Sequence, residues 1–402
     1  MELKRSVSQF LLTLYGLGTI IGAGIYVLIG EVVGRAGTYA PLSFFLAAII
    51  ASLTAFSYAE LSSRHPRSAG EAAYVDEAFA ARWFSQLTGW AVVTVGVVSS
   101  ATIVSGFVGY LDWFIKLPDW FVISSLVLLL SAVAIWGITQ SLWVAGGATI
   151  LELLGLFLVI AMNADAFVQL PERWPALVLA TDSMAWTGVL LAAFLAFYAF
   201  IGFEDMVNIA EEVTEVRRTL PRAIVLAMVI STVLYLLISV VAVLALPAGE
   251  ISRSSAPLST LVAGKSAAFG QIVSIISLIA VVNGALAQII MASRVIYGMG
   301  AQGLAPGLLA SILPRTQTPA LATVLIGLTV LILALSVPLV RLAEITSFIT
   351  LLIFAAMHIA LLRLKRREPA PVGATLFPRW IPVAGFTSTI LLAGFQVLRP
   401  LL

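Results

Sequence analysis

The first apolar segment, residues 8–33, carries Gly16, Gly18, Gly22 and Gly24 within nine residues. A helix in lipid must satisfy every backbone N–H and C=O internally. Each glycine weakens a helix by about 1 kcal/mol relative to alanine. We expect such a run to interrupt the helix at membrane depth; the alternative is a surface where neighbouring helices approach closely. Interrupted helices are tolerated where they line a cavity, and in secondary transporters that cavity binds the solute.

Ten further apolar segments follow, at residues 40–62, 83–113, 120–137, 142–162, 186–209, 223–246, 270–300, 321–336, 345–364 and 381–398. No stretch between them could hold a soluble domain, so residues 1–402 read as one all-α transmembrane domain of about eleven helices. The chain is 61% hydrophobic and 10% charged, with a mean hydropathy of +1.07, far outside the soluble range. With the N-terminus on the cytoplasmic side, fifteen of the Lys and Arg residues fall on the inner face and seven on the outer. That is the positive-inside pattern of a multi-pass protein of the cell membrane, plasma or inner. The absence of cysteine rules out disulfides and thiolate metal sites, and His65 and His358 are too few for a histidine-rich one. No cofactor and no nucleic-acid partner is expected.

The sixth span repeats the peculiarity of the first. Gly202 lies 16 residues after Trp186, as Gly24 lies 16 after Ser8. Two interrupted helices five spans apart enter the membrane from opposite sides. The fold expected is a five-plus-five inverted repeat with discontinuous helices 1 and 6, the repeats covering 8–163 and 186–364, with an extra helix near 380–398. A half-helix starting near Gly24 would point free N–H groups at the midplane, and one ending near Ala199 would leave free carbonyls there. An anion cradle facing a cation cradle suits a zwitterion such as an α-amino acid; a polyamine or simple amine would use only the carbonyl side.

Four motifs, GLGTIIGAGIY at 16–26, SYAELSSRHPRSAGEAAYV at 57–75, FYAFIGFEDMVNIAEEV at 197–213 with RRTLPRAI at 217–224, and SRVIYGMGAQGLAP at 293–306 with RTQTPA, resemble the amino acid–polyamine–organocation (APC) transporter superfamily, amino acid permease type. The resemblance runs over nearly the whole chain and implies the same inverted-repeat fold. Most members have twelve spans, and eleven are counted here. The resemblance puts the substrate carboxylate on backbone at Gly22, Ala23, Gly24 and Ile25. It puts the amino group on the carbonyls of Ile21, Tyr198, Ala199 and Ile201. Phe200 would cover the substrate as a gate, and Gly202 would leave room for its side chain. Glu60 and Arg294 would pair as a cytoplasmic gate.

Glu152 lies ten residues into the fifth span, about 15 Å deep at 1.5 Å per residue. An ionisable group at that depth is a candidate functional residue by default, here for carrying a coupling proton. Several proton-coupled relatives resemble this chain but have a lysine at that place, so their coupling cannot be copied. Na+ held by Glu152, the Gly18 carbonyl and the eighth span, which carries Asn283, is the other possibility. Glu204 and Asp205 follow the second break, where acids would pin the next half-helix.

The expected function is secondary active transport of L-amino acids, neutral ones, by alternating access, proton-coupled or by exchange. The alternatives are a polyamine, cationic amino acid or amine carrier and, in another class, a transporter-like sensor or passive facilitator. No phosphate-binding loop and no nucleophile–base constellation supports an ATP-driven pump or an enzyme.

Overall fold

The computed structural model describes residues 7–66, 70–136, 142–178 and 183–398. Lys4, Arg5, Arg67 and Arg399, which enter the charge count, lie outside the described residues, as does part of the 57–75 motif. Fifteen α-helices are present among the described residues. In chain order they are α1 Gln9–Ala36, α2 Ala40–Arg64, α3 Gly70–Phe79, α4 Arg82–Leu111, α5 Asp119–Trp136, α6 Leu142–Met162, α7 Leu170–Val178 and α8 Ser183–Phe197. Then come α9 Val216–Ala245, α10 Ala248–Arg253, α11 Pro257–Ala263, α12 Ala267–Ala301, α13 Ala320–Ser336, α14 Leu339–Arg367 and α15 Trp380–Leu398.

Among the described residues nine stretches are long and apolar enough to cross a membrane. The first of these, 9–64, holds both α1 and α2, and the shorter α13 is apolar as well. Together they fill the eleven segments read from the sequence. The short helices α3, α7, α10 and α11 were not anticipated. They are too short or too polar to show as apolar runs, and they cover the two ends of the bundle.

α1 runs through the middle of the molecule, touching α9, α6, α8 and α12, while α4 lies along α12 and α14. Ser8 caps α1, its Oγ accepting the Leu11 N–H at 3.3 Å. From there α1 continues unbroken to Ala36, whereas an interruption at Gly22–Gly24 was expected. The physical reason is a matter of size. A glycine costs a helix about 1 kcal/mol, but an unsatisfied amide in hydrocarbon costs several, so the ladder holds.

The glycines serve close approach instead. A Cβ on Gly24 would sit 2.8 Å from the Ala199 Cβ, and one on Gly16 would meet Met206. One on Gly18 would run into Thr149, and on Gly22 it would lie 3.6 Å from the Ala280 carbonyl. Without a hydrophobic force between helices in lipid, such backbone-to-backbone contact is a main source of association.

Candidate functional site

The sixth span is broken. α8 ends at Phe197, one tight turn spans Tyr198–Phe200, and Ile201 is extended at φ −68°, ψ 139°. Gly202 follows at φ 127°, a conformation a side chain rarely adopts. Residues Phe203–Glu212 then form a ten-residue 3-10 helix with a kink at Ile209, an unusual length for that conformation and a mark of a hinge. Glu204 pins this half: its Oε2 accepts the Gly202 N–H at 2.8 Å.

Gly202 lies against α1. Its carbonyl accepts from Thr19 Oγ1 at 2.9 Å, and a Cβ there would come within 3.0 Å of the Ile20 nitrogen. The space expected beside Gly202 for a substrate side chain is therefore occupied by the α1 backbone. Tyr235, on α9, joins the same two elements. Its hydroxyl lies 2.9 Å from both the Ile20 and the Ala199 carbonyl oxygens. Phe200 packs edge-on to Tyr235, ring centres 5.0 Å apart, and is 1% exposed. It belongs to that aromatic contact and not to the cavity wall, a correction to its expected place over the substrate.

Between α1, the broken span, α4, α6 and α12 lies a cavity of about 30 Å³, the room of one water. Gly18, Gly24, Tyr198, Ile201 and Asn283, all named from the sequence, line it. Thr19, Ile20, Ser99, Thr149 and Gln288 line it too and were missed. Ile21, Ile25 and Ala199 are fully buried behind the wall, and Gly22 faces α12. The Ala23 side chain lies outside what is described. Among the described residues, none that lines the cavity carries a charge. Tyr198 and Ser99 join hydroxyl to hydroxyl at 2.9 Å across it.

Glu152 stands just behind this wall, fully buried. Asn283 Nδ2 donates to its Oε1 at 3.3 Å, while its Oε2 has no partner. Thr149, one turn before Glu152, touches Gly18, so Gly18, Asn283 and Glu152 are brought into one neighbourhood.

A separate vestibule of about 920 Å³ lies beside the cavity, on the side that carries α3. Tyr15 and Ala287 line both spaces and form the partition. Asp205, 4% exposed, lines the vestibule and accepts from Gln288 Nε2 at 2.9 Å. The opposite face is covered. α10 and α11 lie on the second half of α1, where a Cβ on Gly30 would sit 2.9 Å from the Ile251 carbonyl. Glu344 of α14 binds Arg35 of α1 at 2.8 Å and Arg341 at 2.9 Å. One mouth is open and the other shut.

Arg294 lines the open vestibule, but Glu60 is elsewhere. Glu60 Oε1 accepts from Arg64 at 2.7 Å, and its Oε2 binds Lys365 at 2.7 Å and the Phe377 N–H at 2.9 Å. The i,i+4 spacing to Arg64 and the basic end of α14 satisfy the buried carboxylate, so the expected Glu60–Arg294 gate does not form. On α3, Glu71 is buried and accepts from the Tyr58 hydroxyl at 3.0 Å. Burial raises its carboxyl above the usual range, and the Tyr58 bond partly opposes that.

A family model described as amino acid permease matches residues 7–400. The branched-chain amino acid permease of Bacillus subtilis is 29% identical over 92% of this chain and 82% of its own length. Human cationic amino acid transporter 4 is 29% identical over 98% of this chain, which spans 65% of that protein. An uncharacterized transporter of Mycobacterium tuberculosis is 31% identical over 98% of this chain and 86% of its own. Among solved structures, a Na+-coupled sialic acid symporter in a substrate-bound outward-open state superposes with a TM-score of 0.63. The match covers 99% of this chain and 90% of the symporter's, at 14% identity, and shows a shared transporter fold.

Proposed function

We propose, from the premise that this chain belongs to the amino acid permease family, that it carries neutral L-amino acids across the cell membrane by alternating access. Its relatives are transporters and not enzymes. The observation that carries the reading is the uncharged cavity between α1 and the break at Ile201–Gly202, covered toward one face and separated from a vestibule on the other by Tyr15 and Ala287.

A free amino acid is a zwitterion, and the break supplies carbonyls for its ammonium end. α1 is a regular helix here, so its amides become available to a carboxylate once its glycine-rich centre opens. Gly22 and Gly24 make that opening inexpensive. A cationic side chain would find no counter-charge on the cavity wall, which favours neutral substrates.

Glu152 is the coupling residue. It is a buried carboxyl with one oxygen unpartnered, one residue layer from the cavity, and a proton is the simplest ion to satisfy it. The vestibule is then the cytoplasmic mouth and the N-terminus lies inside, in keeping with the charge bias.

The test is uptake of labelled amino acids by the purified protein in liposomes under an imposed pH gradient, with choline replacing Na+. Saturable, gradient-driven accumulation of a neutral amino acid is expected. Accumulation only of lysine, arginine or a polyamine would overturn the assignment.

A further inference from the structure

We infer that Gln288 is a specificity-determining residue, selecting among neutral amino acids those whose short side chain carries a hydrogen-bond donor. The inference rests on the reading of the cavity as the substrate site.

Gln288 lines the cavity and also reaches across the partition to a vestibule carboxylate. It is 6% exposed. Its Nε2 donates to Asp205 Oδ2 at 2.9 Å, and its Oε1 is buried with no partner. A carboxylate oxygen accepts, so Asp205 fixes which end of the amide it faces and leaves the carbonyl end unspent.

The remaining walls say what that carbonyl meets. The α-carboxylate and α-ammonium are assigned to α1 and the broken span, so the side chain lies toward α4, α6 and α12. On those walls Ser99 is engaged by the Tyr198 hydroxyl, Thr149 Oγ1 donates to the Ala145 carbonyl, and Asn283 donates to Glu152. Gly284 and Ala287, which line the cavity with Gln288, are small. The cavity itself is small, about 30 Å³, which favours a side chain of a few atoms.

A buried acceptor left unpaired weakens binding by about tenfold to a hundredfold. A site of this kind therefore rejects a substrate that lacks the donor, whereas an apolar pocket barely rejects an added hydroxyl. Threonine and valine have nearly the same shape and differ in that donor, as do serine and alanine.

The experiment is competition in proteoliposomes: the concentrations of unlabelled threonine, valine, serine and alanine that halve uptake of labelled threonine or alanine. In the wild type, threonine is expected to compete at least about tenfold better than valine, and serine than alanine. In Gln288→Met, of similar length and without the carbonyl, each ratio is expected to fall to within about twofold of one. The readout is a ratio within each protein, so a general loss of activity does not mimic the result.

Should Gln288→Met fail to fold, Asp205→Asn offers either a donor or an acceptor to the amide, releases its orientation, and is expected to lower the ratios as well. A wild-type ratio near or below one overturns the inference, as does a full ratio kept in Gln288→Met or, in its place, Asp205→Asn. Competition by amino acids without preference sinks this inference alone. No competition by any amino acid sinks the transport reading and this inference with it.

Discussion

Asn283 donates its Nδ2 hydrogen to Oε1 of Glu152 at 3.3 Å, in the apolar middle of the bundle, and leaves Oε2 of that carboxyl unpartnered. Glu152 comes from the side of the apolar helix α6 and Asn283 from α12. An unpaired carboxylate in this place would cost several kcal/mol, which is the ground for proposing Glu152 as a proton carrier. Glu152→Gln keeps the shape and the Asn283 contact but cannot release a proton. Accumulation driven by a pH gradient is expected to be lost, while exchange at zero gradient persists. Full gradient-driven accumulation by the variant would assign coupling elsewhere.

Gly24 and Ala199 hold α1 against the break in the sixth span. A methyl group at residue 24 would sit 2.8 Å from the Ala199 Cβ, too close for either to stay in place. Gly24→Ala is expected to part the two elements at a cost of about 1–3 kcal/mol, the usual range for overpacking. Substrate affinity should fall at least about tenfold. Gly24→Val should be worse. A valine variant with native affinity would remove this contact from the site.

Tyr235 bridges the Ile20 and Ala199 carbonyls through one hydroxyl. Tyr235→Phe keeps the ring and its packing on Phe200 but leaves both carbonyls without that donor. The loss is expected to be about 1–2 kcal/mol, the range for such bonds in membranes. It should appear as weaker binding more than as a lower melting temperature, because the carbonyls lie at the break. Thermal melting in detergent with and without substrate separates the two.

How much of this was legible in the sequence follows from the kind of force involved. The spans were, because twenty apolar residues in a row have few alternatives in lipid. The break at Gly202 was legible in its spacing, since a glycine among apolar residues at a fixed depth is a backbone signal. The continuity of α1 was not. Its glycines serve contacts with Thr149, Ala199 and Met206, partners that only the tertiary structure names. Glu152 and Asn283 stood out as polar residues at depth. Gln288, polar at a similar depth, was not singled out, and its meaning depends on Asp205, which lies 83 residues away in sequence. Tyr235 and Ser99 gave no signal, since tyrosine and serine are common on packed membrane helices.

Glu71 gives a pH prediction outside the spans. Burial raises its carboxyl, so the folded state holds the proton more tightly than the unfolded chain does. The associated stability is complete below the ordinary glutamate range and is lost as pH rises through the raised value. The melting temperature in detergent is expected to fall as pH rises across that window, and Glu71→Gln should flatten the dependence. An unchanged slope in the variant would assign the pH response to another group.

Counterflow separates a carrier, with one site that faces the two sides in turn, from a passive pore. Liposomes containing the protein are loaded with a millimolar neutral amino acid and diluted into a trace of the same labelled compound. A carrier gives a transient overshoot of internal label above equilibrium, saturating with internal substrate and abolished in Gly24→Val. Label that enters only to equilibrium, without overshoot and without saturation, would contradict it and describe a passive pore.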